Sequence, residues 1–544
     1  MRPVLSYGSY LGGTEQPGRQ WIYTLRASAM LEDFFGAIRL KRGLERGRLS
    51  LDEAGGDVVG RCATADADDM NAALELAAGA ARTWSAAPLE RRMRVVEEFH
   101  DLVRAHHDTL VDLMIAEGHP RALARWEAAG MLANTGAATR SFLAGQMRYT
   151  AQDGPRTLQV RRVADGVVCL NPPQNATVAN ALLGIWALAA GNALVVRAPR
   201  SAPLGVMYAL RELIAPALER AGAPAAALSV LCSEARGTLD QWLASPVVDD
   251  IMYFGSSEQG IAFGAECVAR GKKPVLELSG NDICVVWHDA DLDLAADALA
   301  EAFYGSGQIC MVPNCAVVHP RVADELLARL RKRAAAIRPG PPEAPDALLS
   351  PVLRPDRFYD VLGQATEAGA ELVCGGRRLD VHGRPDDTRG LFLEPTVLRV
   401  NGLKTARDLD AVRHETFFPL LPVVVPEDTG DAELLVAVAD FVNTNEYGLR
   451  NSLWSGSERT VDTFLRLIRN GGLLKVNDSH IGFLPLLPTH GGTGLTGGPG
   501  GEANYPILRT SHLQGVSVAR GVRPGAAVFA QAGSDDADVQ EVSA

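Results

Sequence analysis

The apolar positions change their period along the chain. From Asp68, the residues Ala73, Leu76, Ala77, Ala80 and Ala81 recur at helical spacing. Val95, Val96, Phe99, Leu102, Val103, Leu110, Leu113 and Met114 repeat the pattern across residues 92–115. Two long amphipathic helices are predicted. Before them, residues 1–50 carry no clear period beyond one helix over 27–40, and are read as an N-terminal extension. After Arg162 the rhythm switches to short apolar runs alternating with helices. Strands are predicted over 166–170, 193–196, 228–231, 250–253 and 274–278, with helices over 178–190, 204–221 and 257–269. Apolar strands joined by helices imply a parallel sheet covered on both faces, an α/β doubly wound arrangement.

A second alternating set follows Gly280. Strands are predicted over 283–286, 315–318, 391–398 and 473–476, and helices over 292–304, 322–336 and 359–368. The two α/β lobes join near residues 278–282. A Pro-rich loop separates helices at 339–355, a glycine-rich segment occupies 491–501, and residues 521–544 are read as a flexible tail.

Composition narrows the class. Of 544 residues 47% are hydrophobic and 22% charged, which suits a globular chain and excludes wholesale disorder. The net charge of -12 argues against a nucleic-acid footprint. Eight cysteines are scattered without a CxxC pair or zinc spacing, so free thiols in a cytoplasmic protein are expected, and no metal. The apolar run at 178–196 is interrupted by Asn180, Gly184, Gly191 and Asn192 and is not read as a membrane span.

Three positions draw attention on chemical grounds. Cys310 follows Gly305-Ser306-Gly307-Gln308-Ile309, a backbone able to turn sharply and expose a thiol. A buried, inert cysteine is the plainer reading. Glu277 ends the apolar run Val275-Leu276, where a carboxylate is costly unless paired or catalytic. Asn175 lies between a strand and a helix, where Asn also serves as a helix cap. These residues alone do not assemble a site.

Their order does. Gly166-Val167-Val168 leading to Asn175, Gly191-Asn192-Ala193-Leu194-Val195-Val196, Phe254-Gly255-Ser256-Ser257-Glu258, Leu276-Glu277-Leu278-Ser279-Gly280, Gly307-Gln308-Ile309-Cys310 and Glu415-Thr416-Phe417-Phe418-Pro419 follow one another. Asn443, Tyr447-Gly448-Leu449 and Val476-Asn477 complete the set. It resembles the aldehyde dehydrogenase superfamily over about residues 57–520. The resemblance implies a Rossmann-type cofactor domain (51–141 and 164–278) and an α/β catalytic domain (279–487). It also implies a small β oligomerisation arm with its closing loop (142–163 and 488–520), in a homodimer or homotetramer. Residues 505–510 are consistent with an arm strand.

The implied chemistry is NAD(P)-dependent oxidation of a small-molecule aldehyde to a carboxylic acid. Cys310 would be the nucleophile, Asn175 and the Cys310 N–H the oxyanion donors, and Glu277 the base that activates water. For the cofactor, the resemblance assigns Glu415 to the nicotinamide ribose and Phe417 to the ring, with Leu278 nearby. Gly255 and Ser256 form the turn facing the pyrophosphate. Arg197 stands where the family usually carries Lys. Arg200 stands where NAD-preferring members often carry Glu, so a 2′-phosphate, and NADP over NAD, is slightly favoured.

Several departures leave the substrate open. The segment between Asn175 and Gly191 is one residue short of the family pattern, so backward counting would give Gln174 the oxyanion role. Gln174-Asn175-Ala176-Thr177 replaces Trp-Asn-Phe-Pro, and Phe418 replaces a common Gly. His490, in an unusual closing loop, is either a substrate contact or an ordinary loop histidine. Two other functions stay in view. One is a coenzyme-A-acylating dehydrogenase, against which Glu277 argues; the other is a non-catalytic scaffold.

Overall fold

A computed structural model describes residues 4–524 together with residues 528, 540 and 541. Most of the tail read at 521–544 therefore lies outside the described residues. Its pair Gln540–Glu541 runs antiparallel to Ala151 and Gln152.

Two seven-stranded sheets organise the molecule. In the first, the spatial order is Lys273–Glu277, Asp250–Phe254, Val167–Asn171, Ala193–Pro199, Leu228–Ser233, Ser9–Leu11 and Thr14–Gln16. The first five are parallel. Four of them, Val167–Asn171, Ala193–Pro199, Leu228–Ser233 and Asp250–Phe254, are buried at every position, which is why they read as largely apolar runs. Val167–Asn171 pairs with the next strand in the chain on one side and with a much later one on the other. Such a switch of direction opens a crevice beyond the strand C-termini. The doubly wound α/β architecture expected from the pattern is thus present.

The second sheet runs Glu371–Cys374, Thr396–Asn401, Leu420–Val425, Pro313–Val318, Asp282–Val286, Arg450–Trp454 and Leu473–Val476, parallel except at its first edge. A smaller antiparallel sheet, where the arm was expected, pairs Ser511–Ala519 with Arg156–Ala164, which in turn pairs with Arg148–Asp153.

The N-terminal extension is integrated. Ser9–Leu11 adds antiparallel to Leu228–Ser233, and Trp21–Leu25 pairs with Val58–Ala63.

Several elements differ from the expected ones, each for a local reason. The helix over 27–40 is broken at Asp33 (φ -141°), whose carboxylate accepts from Gly36 N and starts a second helix, Phe34–Glu45. The helix over 92–115 splits into Leu89–Ala105 and His107–Ala116, because His106 leaves helical geometry and meets the Tyr208 hydroxyl at 2.7 Å. The helix over 178–190 divides into Thr177–Leu182 and Gly184–Ala190, where Gly184 lets the chain close on Leu194. The helix over 204–221 carries a wider π-type turn, Ala209–Ile214, just before Pro216, which has no N–H to give a regular helix. The helix over 292–304 keeps α-geometry only across Leu292–Ala300. Pro395 separates Phe392–Leu393 from Thr396–Asn401, so 391–398 is not one strand. Residues 505–510 are not an arm strand. Pro506–Arg509 forms a helical turn with Pro at its start, and the arm strand begins at Ser511.

Candidate active site

Beyond Ala300 the chain tightens and then reverses. Gly305, Ser306 and Gly307 all have positive φ (61°, 57° and 71°). A Cβ on Gly307 would lie 2.0 Å from the Phe418 carbonyl oxygen, so glycine is required there. Ser306 accepts the left-handed geometry because its hydroxyl donates to Ser350 O (2.6 Å) and accepts from Ser350 N (3.0 Å). The turn delivers Cys310 to the wall of a cleft of ≈ 1390 Å³ that runs past the C-termini of the first sheet. Cys310 is part-buried; of the other seven cysteines only Cys374 is as open.

Asn175 lies in the loop after Val167–Asn171 and lines the same cleft. Its Nδ2 donates to Gln308 O at 2.8 Å, two residues from Cys310, and it makes no cap on the following helix. Gln174 is exposed and also borders the cleft. Glu277 ends Lys273–Glu277 and is buried. Its carboxylate accepts from Gly491 N (2.7 Å) and from Asn504 Nδ2. Burial pushes this carboxyl from 4.5 up to about 8 against those donors. Glu415 accepts from Gly280 N (3.1 Å), and burial pushes it up to about 7. A Cβ on Gly280 would lie 1.9 Å from Cys310 O, so Gly280 brings the Glu415 contact and the Cys310 backbone together.

These acids shape the thiol. Burial pushes Cys310 up to about 12, the nearby carboxyls of Glu415, Asp282 and Glu277 add to the rise, and the Arg450 guanidinium opposes it. At neutral pH the resting sulfur keeps its proton, and two carboxyls tuned toward neutrality share its cleft.

The opposite wing has the features of an anion and nucleotide site. Arg197 is buried at the end of its strand, donating to Asn171 Oδ1 (2.5 Å) and Ser233 O (3.2 Å). Gly255 and Ser256 lead into the helix Ser257–Ala269, whose first turn borders the cleft, and Ser256 caps it through Gln259 N. The buried Ser257 hydroxyl has no hydrogen-bond partner there. An orphaned hydroxyl at a helix N-terminus suits a phosphate group, so these residues fit a dinucleotide. Leu278 packs on Gly260 and lines the cleft, as does Phe417, held at φ 60°. Arg200 is exposed and is not among the residues bordering the cleft. Glu234, within reach of the Arg197 charge, and Arg236 are.

The third side is apolar. Trp126 stacks on Phe483 with ring centres 4.7 Å apart, and Gly130 leaves room for that ring. Met311, Leu449 and Ile481 join them against Cys310. His490 also borders the cleft. Burial, then the Arg450 charge, lowers it to about 3, so it is neutral, with Nδ1 2.6 Å from the Thr489 hydroxyl.

The sequence brings forward most of this wall but assigns no role to Trp126, Phe483, Ser257, Arg236 and Arg450. Ser257 lies inside the Phe254–Glu258 motif without a role of its own, and the others are single side chains on ordinary elements, without a motif.

A sequence profile of the aldehyde dehydrogenase family matches residues 45–508. The 3,6-anhydro-alpha-L-galactose dehydrogenase of Streptomyces coelicolor is 28% identical over 483 residues, 85% of this chain and 92% of that protein. A vanillin dehydrogenase of Amycolatopsis sp. is 31% identical over 413 residues, 73% of this chain and 78% of that protein. The crystal structure of an NAD-dependent aldehyde dehydrogenase from Sinorhizobium meliloti superposes with a TM-score of 0.76 at 24% identity, covering 96% of each chain.

Proposed function

Because the chain belongs to the aldehyde dehydrogenase family, and so is an NAD(P)-dependent oxidoreductase of aldehydes, we propose that it oxidises a ring-bearing aldehyde to the carboxylic acid through a thioester on Cys310. The observation that carries this reading is the Asn175–Gln308 hydrogen bond, which holds an amide beside Cys310 in the cleft that Glu277 also lines.

The Cys310 thiol first releases its proton to solvent in the cleft. The Cys310 sulfur then attacks the aldehyde carbon, forming a C–S bond. The oxyanion accepts from the second hydrogen of Asn175 Nδ2 and from the Cys310 N–H. One such donor is worth about 3–4 kcal/mol in comparable sites. Arg197, Gly255, Ser256, Ser257, Leu278, Glu415 and Phe417 would hold NAD(P), which would supply the hydride acceptor when bound. Hydride loss leaves a thioester on Cys310. Glu277 then takes a proton from water, the water oxygen attacks the acyl carbon, the C–S bond breaks, and the acid leaves.

Cys310→Ala abolishes turnover. Glu277→Gln gives about one equivalent of reduced cofactor per site and then turns over roughly a hundredfold more slowly or worse. Wild-type kcat rises with pH through about 8, where Glu277 ionises. Acid formed by Glu277→Gln at the wild-type steady rate defeats the hydrolytic role. Turnover restored by coenzyme A favours the acylating reading.

The two relatives act on a sugar-derived and an aryl aldehyde, so their names do not agree on a substrate. The Trp126–Phe483 stack supports a flat ring. For the cofactor we favour NADP. Arg200 suggests it from sequence, and Arg236, which like Arg197 borders the cleft, is a further cation for a 2′-phosphate. A kcat/KM that is higher with NAD than with NADP defeats that preference. The arm supports assembly into a homodimer or homotetramer.

A further inference from the structure

The wall behind the Trp126–Phe483 stack contains polar atoms that the reaction does not use. The helices Arg121–Thr135 and Thr177–Leu182 pack together there. Glu127 from the first and Asn180 from the second border the cleft, and they are 5% and 7% exposed. Each keeps one buried oxygen without a partner, Glu127 Oε2 and Asn180 Oδ1. Trp126 Nε1, one residue from Glu127, is a buried donor without an acceptor.

The Asn180 amide is not free to turn. Its Nδ2 donates to Ala176 O at 2.8 Å, and reversing the amide would set two oxygens against each other. Its Oδ1 therefore stays an open acceptor. Glu127 Oε1 lies 3.4 Å from His119 Nε2, which leaves Oε2 as the second. Neither a protein group nor exposed surface serves these atoms, so a substrate that reaches them from the cleft must bring its own hydrogen-bonding group.

We propose that Asn180 and Glu127 recognise a hydroxyl group carried on the ring of the aldehyde, making the substrate class hydroxylated aryl aldehydes. A hydroxyl supplies one donor and accepts through its lone pairs, so it gives its hydrogen to Asn180 Oδ1 and accepts from the neutral Glu127 carboxyl or the Trp126 N–H. An ammonium group would meet that N–H with like charge. Burial also raises the Glu127 carboxyl, which favours its neutral form and weakens any attraction for a cation. A site built around such acceptors discriminates strongly against a ring that lacks the hydroxyl, because its polar atoms are then stranded.

The inference rests on the Cys310 oxidation proposed above, and the test separates the two. Wild-type enzyme is assayed with both cofactors on benzaldehyde, 3-hydroxybenzaldehyde, 4-hydroxybenzaldehyde and 4-methoxybenzaldehyde. At least one hydroxy-aldehyde is expected to exceed benzaldehyde and the methoxy compound tenfold or more in kcat/KM, mainly through KM. In Asn180→Leu and in Glu127→Leu that ratio falls below threefold. Melting curves show whether each variant is folded, and Asn180→Asp and Glu127→Gln serve as smaller changes if a leucine variant is not. Benzaldehyde oxidised as well as the hydroxy-aldehydes by wild type, or a ratio unchanged in every folded variant, overturns this proposal and leaves the Cys310 chemistry standing. Failure to oxidise any of the four overturns both this proposal and the ring-bearing substrate. Activity surviving Cys310→Ala overturns the reaction itself.

Discussion

At the scale of single residues, the site poses a question about its own nucleophile. Cys310 is raised by burial first and then by Glu415 and Asp282, while Arg450 lowers it. Arg450 is almost fully buried. It donates to His480 O (2.8 Å) and Thr489 O (3.0 Å), and its backbone N–H donates to Asp282 Oδ1 (3.2 Å). It therefore grips both ends of the segment carrying Phe483 while setting a positive charge behind the thiol. Two substitutions have opposite expected signs. Glu415→Gln removes a negative field, lowers the thiol pKa and speeds alkylation of Cys310 at pH 8. Arg450→Met raises it and slows alkylation. Each pKa unit changes the thiolate fraction about tenfold, so severalfold effects are expected. Iodoacetamide rates across pH, read at Cys310 by mass spectrometry, check this. Equal signs for the two variants defeat the electrostatic account. The contrast explains what was legible. Cys310, Asn175 and Glu277 stand in ordered motifs, and Asn175 rather than Gln174 reaches Gln308. Arg450 and Asp282 are partners only across strands, and no local spacing announces such a pair.

At the scale of elements, the period of apolar residues predicted which segments are helices or strands better than where they stop. Residues 92–115 keep a continuous apolar stripe, yet His106 breaks the backbone there. The stripe records which face is buried and is indifferent to one non-helical residue. The arm strand was misplaced for a related reason. Pro506–Arg509 carries apolar residues because it packs on Gly184–Ala190, whereas the strand Ser511–Ala519 is largely exposed and has no buried face to reveal it. That exposure supports a prediction. Ser511–Ala519 lies at a sheet edge, with Leu513 62% and Val518 55% exposed. An edge strand with open backbone groups and apolar side chains is a pairing surface. Sedimentation is expected to give a dimer or tetramer, and Leu513→Glu combined with Val518→Lys to shift it toward monomer. A wild-type monomer at micromolar concentration defeats the arm's assembling role.

At the scale of the molecule, the two α/β lobes were readable from alternation, but the extension of the first sheet by Ser9–Leu11 and Thr14–Gln16 was not. Three residues hold too few periods to stand out. Also illegible was the number of acids that folding buries. Glu277 is pushed from 4.5 to about 8, and Glu117 and Glu415 to about 7, each chiefly by burial. Glu117 is held by Leu204 N and Gly205 N, at the start of a helix far along the chain. Between pH 4.5 and about 7–8 the unfolded chain has released these protons and the folded protein keeps them. The folded state therefore binds more protons over that window, and stability falls as pH rises through it. Carboxylates lowered by arginine partners, such as Glu394 beside Arg377, act in the opposite sense only below their unfolded value, and the buried neutral histidines His480 and His490 do so only up to about 6.5, so between pH 6 and 8.5 the raised carboxyls outweigh both. The melting temperature is expected to be higher near pH 6 than at pH 8.5, with a stability difference of roughly a few kcal/mol. Glu117→Gln removes one of these protons without touching the cleft, and it flattens the slope while one backbone N–H keeps its acceptor. Calorimetric scans in buffers of equal ionic strength measure this directly. A melting temperature that rises from pH 6 to 8.5, or a slope untouched by Glu117→Gln, means that these carboxyls are ionised in the folded protein. Glu277 would then already be a working base at neutral pH, and the rise of kcat through pH 8 would vanish with it.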